Sequence, residues 1–189
     1  MTSLTHRSIL KVFLAAILVV PVTMGVTSST QTRTGPTGRL AVIGQVSVNG
    51  TSAISGATVF SDSTITTAQN SSAVVSLGKL GRVEVMPSSS AKLTFSDTNI
   101  SVAMLDSGRV RVSSSSGVTG GATTNDGSIV TIGERMNEFT VDTTCGNTVV
   151  SVKKGTVELR AGDSVKQIAA GSQDSAGTAR PGCTPGGGR

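Results

Sequence analysis

The chain has 189 residues, which is enough for one domain with its own hydrophobic core. It contains no Trp, no Tyr and four Phe, so aliphatic side chains must fill that core, and stacking on single-stranded nucleic acid is not expected. The formal net charge is +5, and the only histidine, His6, lies near the N-terminus. Histidine-based metal sites and nucleophiles are therefore not expected in the rest of the chain, and no cofactor is predicted.

The first 28 residues are expected to direct the chain to a membrane. Arg7 and Lys11 precede an apolar run that extends to Val26. A basic segment followed by such a run is typical of a secretion signal, and the run is short for a membrane span, which needs roughly 20 apolar residues. A signal peptide is predicted, with a single uncleaved anchor helix in the inner membrane as the alternative. Residues 29–39, rich in Ser, Thr and Gly, are predicted to be a linker.

Residues 40–171 are predicted to form one all-β domain. The first strand is expected at residues 40–48, and apolar residues alternate with polar ones along most of the domain. Turn signals recur at a spacing typical of a sandwich, a barrel or a coiled β architecture. Residues 113–126 are Ser/Gly-rich and are predicted to be a long loop or a frayed hairpin, either a functional loop or a tolerated insertion. Residues 172–189 are predicted to be a Gly/Pro-rich tail.

The most regular pattern lies just before the middle of the chain. Val83 and Val85 are predicted to face the core, while Arg82 and Glu84 face solvent, because successive residues of a strand point to opposite sides. Gly81 is expected in the tight turn before this strand, where a positive φ or a bulge is needed.

Several short motifs, taken in order, carry a family resemblance. They are Gly44-Gln45-Val46, Ser55-Gly56-Ala57, Ile65-Thr66-Thr67, residues 72–77, Gly81–Val85, Pro87-Ser88-Ser89, residues 154–157 and Ala170-Gly171. In this order they resemble FecR-type domains, which are all-β extracytoplasmic domains first known from the ferric-citrate signalling regulator. The resemblance covers roughly two thirds of the chain, and it implies a jelly-roll-like fold or a β-helical stack of short strands.

Few side chains suggest a chemical site. Arg109 and Arg111 are predicted to share one strand face, where they would meet phosphate or an acidic partner or, as is usual for such a face, simply be solvated. Asp126 and Asp142 lack the regular spacing of a calcium-binding loop, so no metal site is predicted.

A Ser-Lys pair is the remaining arrangement with catalytic potential. Ser151 and Lys153 are expected to share a strand face, which is also the ordinary arrangement of two exposed polar residues. We therefore predict no catalytic residues and no enzymatic activity.

The two cysteines are the most informative polar residues. Cys145 is predicted to lie in a turn between strands and Cys183 in the C-terminal tail. Export permits oxidation, and an internal bridge has one possible pairing, so a structural disulfide that ties the tail to the sheet is predicted. Free thiols or a bridge between two chains are the alternatives.

Together these features predict an exported, non-catalytic binding or structural module of the bacterial cell envelope. The expected location is the periplasm or the cell surface, and the expected partner is an unidentified envelope protein or polysaccharide. The alternative is a signalling relay like the ferric-citrate regulator. Since only about eleven residues precede the apolar run, we expect this chain to lack a sigma-factor-binding domain of its own. An enzyme is the remote third hypothesis.

Overall fold

The structure is a computed structural model that describes residues 35–185. The predicted signal peptide or anchor helix in residues 1–28 lies outside the described residues, as does most of the predicted linker. The described part of the chain is all-β, as the sequence predicts. Between residues 35 and 185 no helix is long and apolar enough to cross a membrane.

Seventeen strands form in the described residues, and a short 3-10 turn, Gly78–Leu80, joins the sixth to the seventh. In chain order the strands are β1 Gly38–Ile43, β2 Val46–Val48, β3 Thr51–Ser52, β4 Thr58–Val59, β5 Ser63–Thr67, β6 Ser72–Ser76, β7 Gly81–Val85, β8 Ser89–Phe95, β9 Asn99–Met104, β10 Arg109–Ser114, β11 Thr119–Thr123, β12 Ser128–Ile132, β13 Asn137–Asp142, β14 Thr148–Lys154, β15 Thr156–Ala161, β16 Ser164–Ala169 and β17 Gln173–Ala176.

These strands form two sheets. Sheet A has eight strands in the order β17-β14-β13-β10-β7-β6-β1-β4, and sheet B has nine in the order β16-β15-β12-β11-β9-β8-β5-β2-β3. Within residues 35–185 every neighbouring pair is antiparallel except β9 and β11, which run parallel.

The chain builds both sheets from one end to the other. It places β6 and β7 in sheet A, β8 and β9 in sheet B, β10 in sheet A, β11 and β12 in sheet B, and then β13 and β14 in sheet A. The order of strands in each sheet therefore follows the chain over most of its length. This two-sheet sandwich differs from a β-helix, whose coils pair in parallel.

One hydrophobic core lies between the sheets. Alternate residues of the long strands contribute to it, such as Ala91, Leu93 and Phe95 of β8 in sheet B and Val110 and Val112 of β10 in sheet A. Complete burial of a Val or Leu side chain stabilises a fold by about 1.5–3 kcal/mol. The period-two pattern of the sequence therefore determines which side of each strand faces inward.

The regular pattern at β7 has the predicted geometry. Val83 and Val85 are buried, while Arg82 is exposed and Glu84 is half-buried on the opposite side. Gly81 has φ of +131°, and a Cβ at this position would lie 2.0 Å from the Ser113 carbonyl oxygen. Glycine is therefore required here both by the backbone conformation and by the close approach of β10.

The prediction of one strand at residues 40–48 is wrong. The segment forms β1 in sheet A and β2 in sheet B, with a corner at Gly44, where φ is +75°. The Gln45 amide donates to the Ser71 hydroxyl at 2.9 Å, and a Cβ on Gly44 would lie 2.4 Å from that hydroxyl oxygen. A glycine inside an alternating pattern is compatible with one continuous strand that contains a bulge, or with a corner between two strands. The sequence pattern does not distinguish these two cases, which is why one continuous strand was predicted.

The prediction of a long loop at residues 113–126 is also wrong. β10 continues through Ser114, and β11 pairs with β9 and β12 inside sheet B. A Cβ on Gly120 would lie 3.1 Å from the Ser114 hydroxyl oxygen and 3.2 Å from the Thr131 methyl carbon. The inner face of β11 therefore leaves little room for a large side chain, which is why its sequence shows no apolar alternation.

The sequence also missed the last strand, which lies in the segment predicted to be a tail. β17 pairs with β14, with Ser175 opposite Val149 and Asp174 opposite Val150. It is short and mostly polar, so it has no hydrophobic signal of its own. It extends sheet A by one strand.

Candidate functional site

The outer face of sheet A, here called face A, carries a row of charged and polar side chains. Its central row runs across the strands through Glu84, Arg111, Thr140, Ser151 and Gln173, which are paired in register. The two-residue period of each strand turns these side chains away from the core. Face A is thus a polar surface built from five neighbouring strands.

Arg109 and Arg111 share this face, as predicted, and each meets a carboxylate of a neighbouring strand. The Arg109 guanidinium donates to Asp142 Oδ2 from Nε at 2.9 Å and lies 2.8 Å from it through Nη2. The Arg111 Nη1 donates to Glu84 Oε2 at 2.8 Å. The two arginines are therefore neutralised by carboxylates of the same sheet. Their charge is less available to an external acidic partner than the sequence alone predicts.

Asp142 is the most enclosed of these carboxylates, with 8% of its side chain exposed. Its second oxygen, Oδ1, accepts hydrogen bonds from the Thr144 amide at 2.9 Å and the Thr144 hydroxyl at 2.6 Å. Every oxygen thus has a donor, which is what a buried carboxylate requires. The role of Asp142 is structural in this arrangement, because both of its oxygens are engaged by Arg109 and Thr144.

Asp126 is held elsewhere, by the Thr148 hydroxyl, which lies 2.9 Å from its Oδ2. A depression of about 160 Å³ lies beside it, lined by Asp106, Thr124, Asp126 and Thr143 among others. Among residues 35–185 no group of three or more acidic, histidine or cysteine side chains is placed to hold a metal ion.

Ser151 and Lys153 lie on face A, but they do not contact each other. The Lys153 ammonium donates to Glu138 Oε1 at 3.2 Å, and the Ser151 hydroxyl donates to Gln173 Oε1 at 3.3 Å. In a Ser-Lys dyad the amine must accept the serine proton, so a lysine engaged with a carboxylate is not arranged for that step. An open groove of about 450 Å³, lined by Arg111, Ser151, Lys153 and Gln173 among others, lies over this part of the face.

Cys145 and Cys183 form the predicted disulfide, with their Cα atoms 5.6 Å apart. Cys145 is buried next to the turn after β13, and Cys183 follows β17. The Arg180 amide donates to the Cys145 carbonyl oxygen at 2.9 Å, which adds a second link to the same segment. The disulfide thus ties the chain that follows β17 to the turn between β13 and β14.

Two lysines that matter for face A and for the end of the sandwich, Lys154 and Lys166, were given no site role from the sequence. The pairing of β13 with β14 shifts between Phe139 and Glu138, so that a β-bulge places Lys153 and Lys154 beside Glu138. Two successive lysines at the end of a strand break its alternating pattern, and this break was the signal in the sequence for a bulge. Lys166 was missed because its partner, Asp174, lies on a strand that the sequence did not predict.

Comparisons with known proteins find similarity to solved structures over part of the chain. No family model matches the chain, and no curated protein matches it. Two crystal structures of a "putative anti-sigma factor" from Parabacteroides distasonis ATCC 8503, at 1.65 Å and 2.50 Å resolution, are similar to part of it. Both are 20% identical in sequence, with a TM-score of 0.48, over 58% of this chain and 52% of theirs.

The chain thus matches about half the length of those solved chains. A likeness at this identity does not extend to function. The resemblance to FecR-type domains stays a prediction from the sequence motifs.

Proposed function

We propose that the chain is a non-catalytic binding or structural module of the bacterial cell envelope that contacts its partner through face A. The observation that carries this proposal is the pairing of Arg111 with Glu84, of Arg109 with Asp142 and of Lys153 with Glu138 across neighbouring strands. These pairs hold a polar face in a fixed arrangement, as a recognition surface requires. They also occupy the side chains that acid–base chemistry would need.

Two further features support an exported module. The disulfide fits an oxidising compartment, since disulfides persist outside the cytosol. The basic and apolar N-terminal sequence fits a secretion signal. The proposed partner is an envelope protein or polysaccharide, and the proposed location is the periplasm or the cell surface.

The test is a cross-linking and co-purification experiment from the envelope with two matched variants. Ser151→Arg places a bulky cation in the groove on face A, and Thr123→Arg places the same side chain on the outer side of sheet B; both residues are exposed on strands. We expect mass spectrometry to identify a component that Ser151→Arg loses and Thr123→Arg retains. A component retained equally by both variants would place the contact elsewhere and refute the role of face A.

The identity of that component also separates the two non-catalytic hypotheses. A sigma-factor regulator or an outer-membrane receptor would favour the signalling relay. A structural envelope protein or a polysaccharide would favour the binding module.

A further inference from the structure

A depression of about 400 Å³ lies on face A beside the start of β7, on the far side of Glu138 from the groove. Ser76, Arg82, Ser113, Glu138 and Lys154 contribute to its lining. These residues form a single row across the sheet, since Arg82 is opposite both Ser76 and Ser113, and Glu138 is opposite both Ser113 and Lys154. The short Ser76 and Ser113 side chains stand on either side of the long Arg82 side chain in this row, and Glu138 and Lys154 follow, which explains the hollow over the serines.

The charges along this row do not cancel. Lys153 and Lys154 both lie beside Glu138 because of the β-bulge, and only Lys153 makes an ion pair with it, at 3.2 Å. Within the described part of the chain, neither Lys154 nor Arg82 has an ion-pair partner. The depression therefore has one neutralised carboxylate and two uncompensated cations on its rim.

The hydroxyl of Ser113 is the second feature of this depression. Its oxygen is buried and has no hydrogen-bond partner among the described residues, although Ser113 lies between Arg82 and Glu138 in the row. A buried hydroxyl without a partner is uncommon in native proteins, and a ligand that the side chain turns to meet is one physical reason for it. Ser76 adds another hydroxyl on the same lining.

The distance between the two cations suits one small anion. Arg82 is on β7 and Lys154 on β14, three strand spacings apart in sheet A, which is roughly 14 Å between backbones. Long Arg and Lys side chains can converge on a group between them from opposite sides. Hydroxyl donors below and two cations at the sides suit an anion with several acceptor oxygens better than a planar carboxylate, which one guanidinium can satisfy alone.

We propose that this depression binds a phosphate group, either as the free ion or as a phosphodiester of an envelope polymer. Arg82 and Lys154 supply the charge, and the Ser113 hydroxyl, which is closed to solvent in the free protein, turns toward the depression to donate a hydrogen bond to a phosphate oxygen. Lys153 keeps Glu138 neutralised, so that its carboxylate does not repel the ligand. The inference rests on the proposed function, because it names the ligand chemistry of one part of face A.

The experiment is an NMR titration of the full chain at constant ionic strength, with inorganic phosphate in one arm and polyglycerol phosphate in the other. We expect saturable amide shifts confined to residues near Gly81, Ser113 and Lys154. Arg82→Gln and Lys154→Gln should each weaken binding about fivefold or more, because each removes a charged hydrogen-bond donor. Lys92→Gln, which removes an exposed cation on sheet B, should leave the affinity unchanged.

The two arms identify the source of the phosphate. Binding of inorganic phosphate as tight as that of the polymer, per phosphate group, supports the free ion, and tighter binding of the polymer supports a phosphodiester. The proposal is overturned by an absence of saturable shifts with both probes, or by an equal loss of affinity in Lys92→Gln. Since the titration needs no partner protein, its failure leaves the co-purification test of face A unaffected.

Discussion

The Lys166 ammonium on β16 lies 2.8 Å from the Asp174 carboxylate on β17, joining the last strands of the two sheets. Lys166 is opposite the buried Leu159 in register, so its side chain faces the space between the sheets. It also donates to the Ser175 carbonyl oxygen at 3.1 Å. A lysine that points inward on an edge strand disfavours pairing with a strand of another molecule, because the added strand would cover an ammonium.

Asp174→Asn should make the stability of the domain less sensitive to acid. The hydrogen bond from Lys166 and the backbone hydrogen bond from Ser175 lower the pKa of Asp174. Because the folded-state pKa lies below the unfolded value of about 4, this contribution is present at neutral pH and is lost as pH falls through the folded-state pKa. Urea midpoints should therefore differ between wild type and Asp174→Asn at pH 7 and converge below about pH 4.

Asp163→Asn is the matched control for that series, since Asp163 is exposed in the turn before β16. It should track the wild type at every pH. A difference between wild type and Asp174→Asn that stays constant into strong acid would contradict the role of the Lys166–Asp174 contact.

Gly81→Ala should lower stability more than Gly117→Ala. Both glycines have positive φ, +131° and +76°, but a Cβ at Gly81 would lie 2.0 Å from the Ser113 carbonyl oxygen, while a Cβ at Gly117 meets nothing within 4 Å. The loss of stability in Gly117→Ala therefore measures the cost of holding a non-glycine residue at positive φ, about 1 kcal/mol. Gly81→Ala adds a clash between the new Cβ and the backbone of β10, so its total loss should be about 2–4 kcal/mol. Equal losses of unfolding free energy in the two variants would contradict this, because they would show that β7 and β10 move apart to accept the added methyl group at no cost.

Arg109→Met should destabilise the fold by about 1–3 kcal/mol, because it leaves the enclosed Asp142 carboxylate without its cation. Lys92→Met breaks the Lys92–Asp62 pair, in which the side chains are 45% and 65% exposed, and should cost less than about 0.5 kcal/mol. Chemical denaturation of both variants checks the contrast. A loss for Lys92→Met as large as that for Arg109→Met would show that enclosure does not set the strength of these pairs.

Cys183→Ser should lower stability while leaving the β-structure intact. Cys183 is exposed, so the substitution opens the disulfide without removing a buried side chain. The sequence separation is 38 residues, for which the chain-entropy model gives roughly 3–4 kcal/mol. The reduced wild type should have the same thermal denaturation midpoint as the variant. Loss of the β-type circular dichroism spectrum at room temperature in either sample would show that the bond is needed for folding itself.

The sequence predicts the strands that carry large apolar side chains and misses those that do not. β7 and β8 follow the alternating pattern because large apolar side chains, Val in β7 and Leu and Phe in β8, occupy their inner positions. β11 and β17 have small or polar inner residues, and they exist because neighbouring strands offer backbone partners. Such strands depend on tertiary context, which a local pattern does not contain.

The candidate site was predictable only in part, for a related reason. The shared face of Arg109 and Arg111 follows from the strand period alone. Their partners follow from the order of β7, β10 and β13 in sheet A, which no local motif encodes. The disulfide was easier to predict because two cysteines allow one internal pairing.

The progressive order of strands along the two sheets has a consequence for biogenesis. Each strand pair that leaves the ribosome or a secretion channel meets an edge already formed by residues made shortly before, so assembly can advance from the N-terminal end without waiting for distant sequence. Cys183 emerges after all seventeen strands of the described residues, and the pairing of β17 with β14 brings the segment that carries it close to Cys145. Oxidation of this pair therefore cannot precede the synthesis of the last strand, and pulse-labelling with alkylation can measure how long after synthesis it occurs.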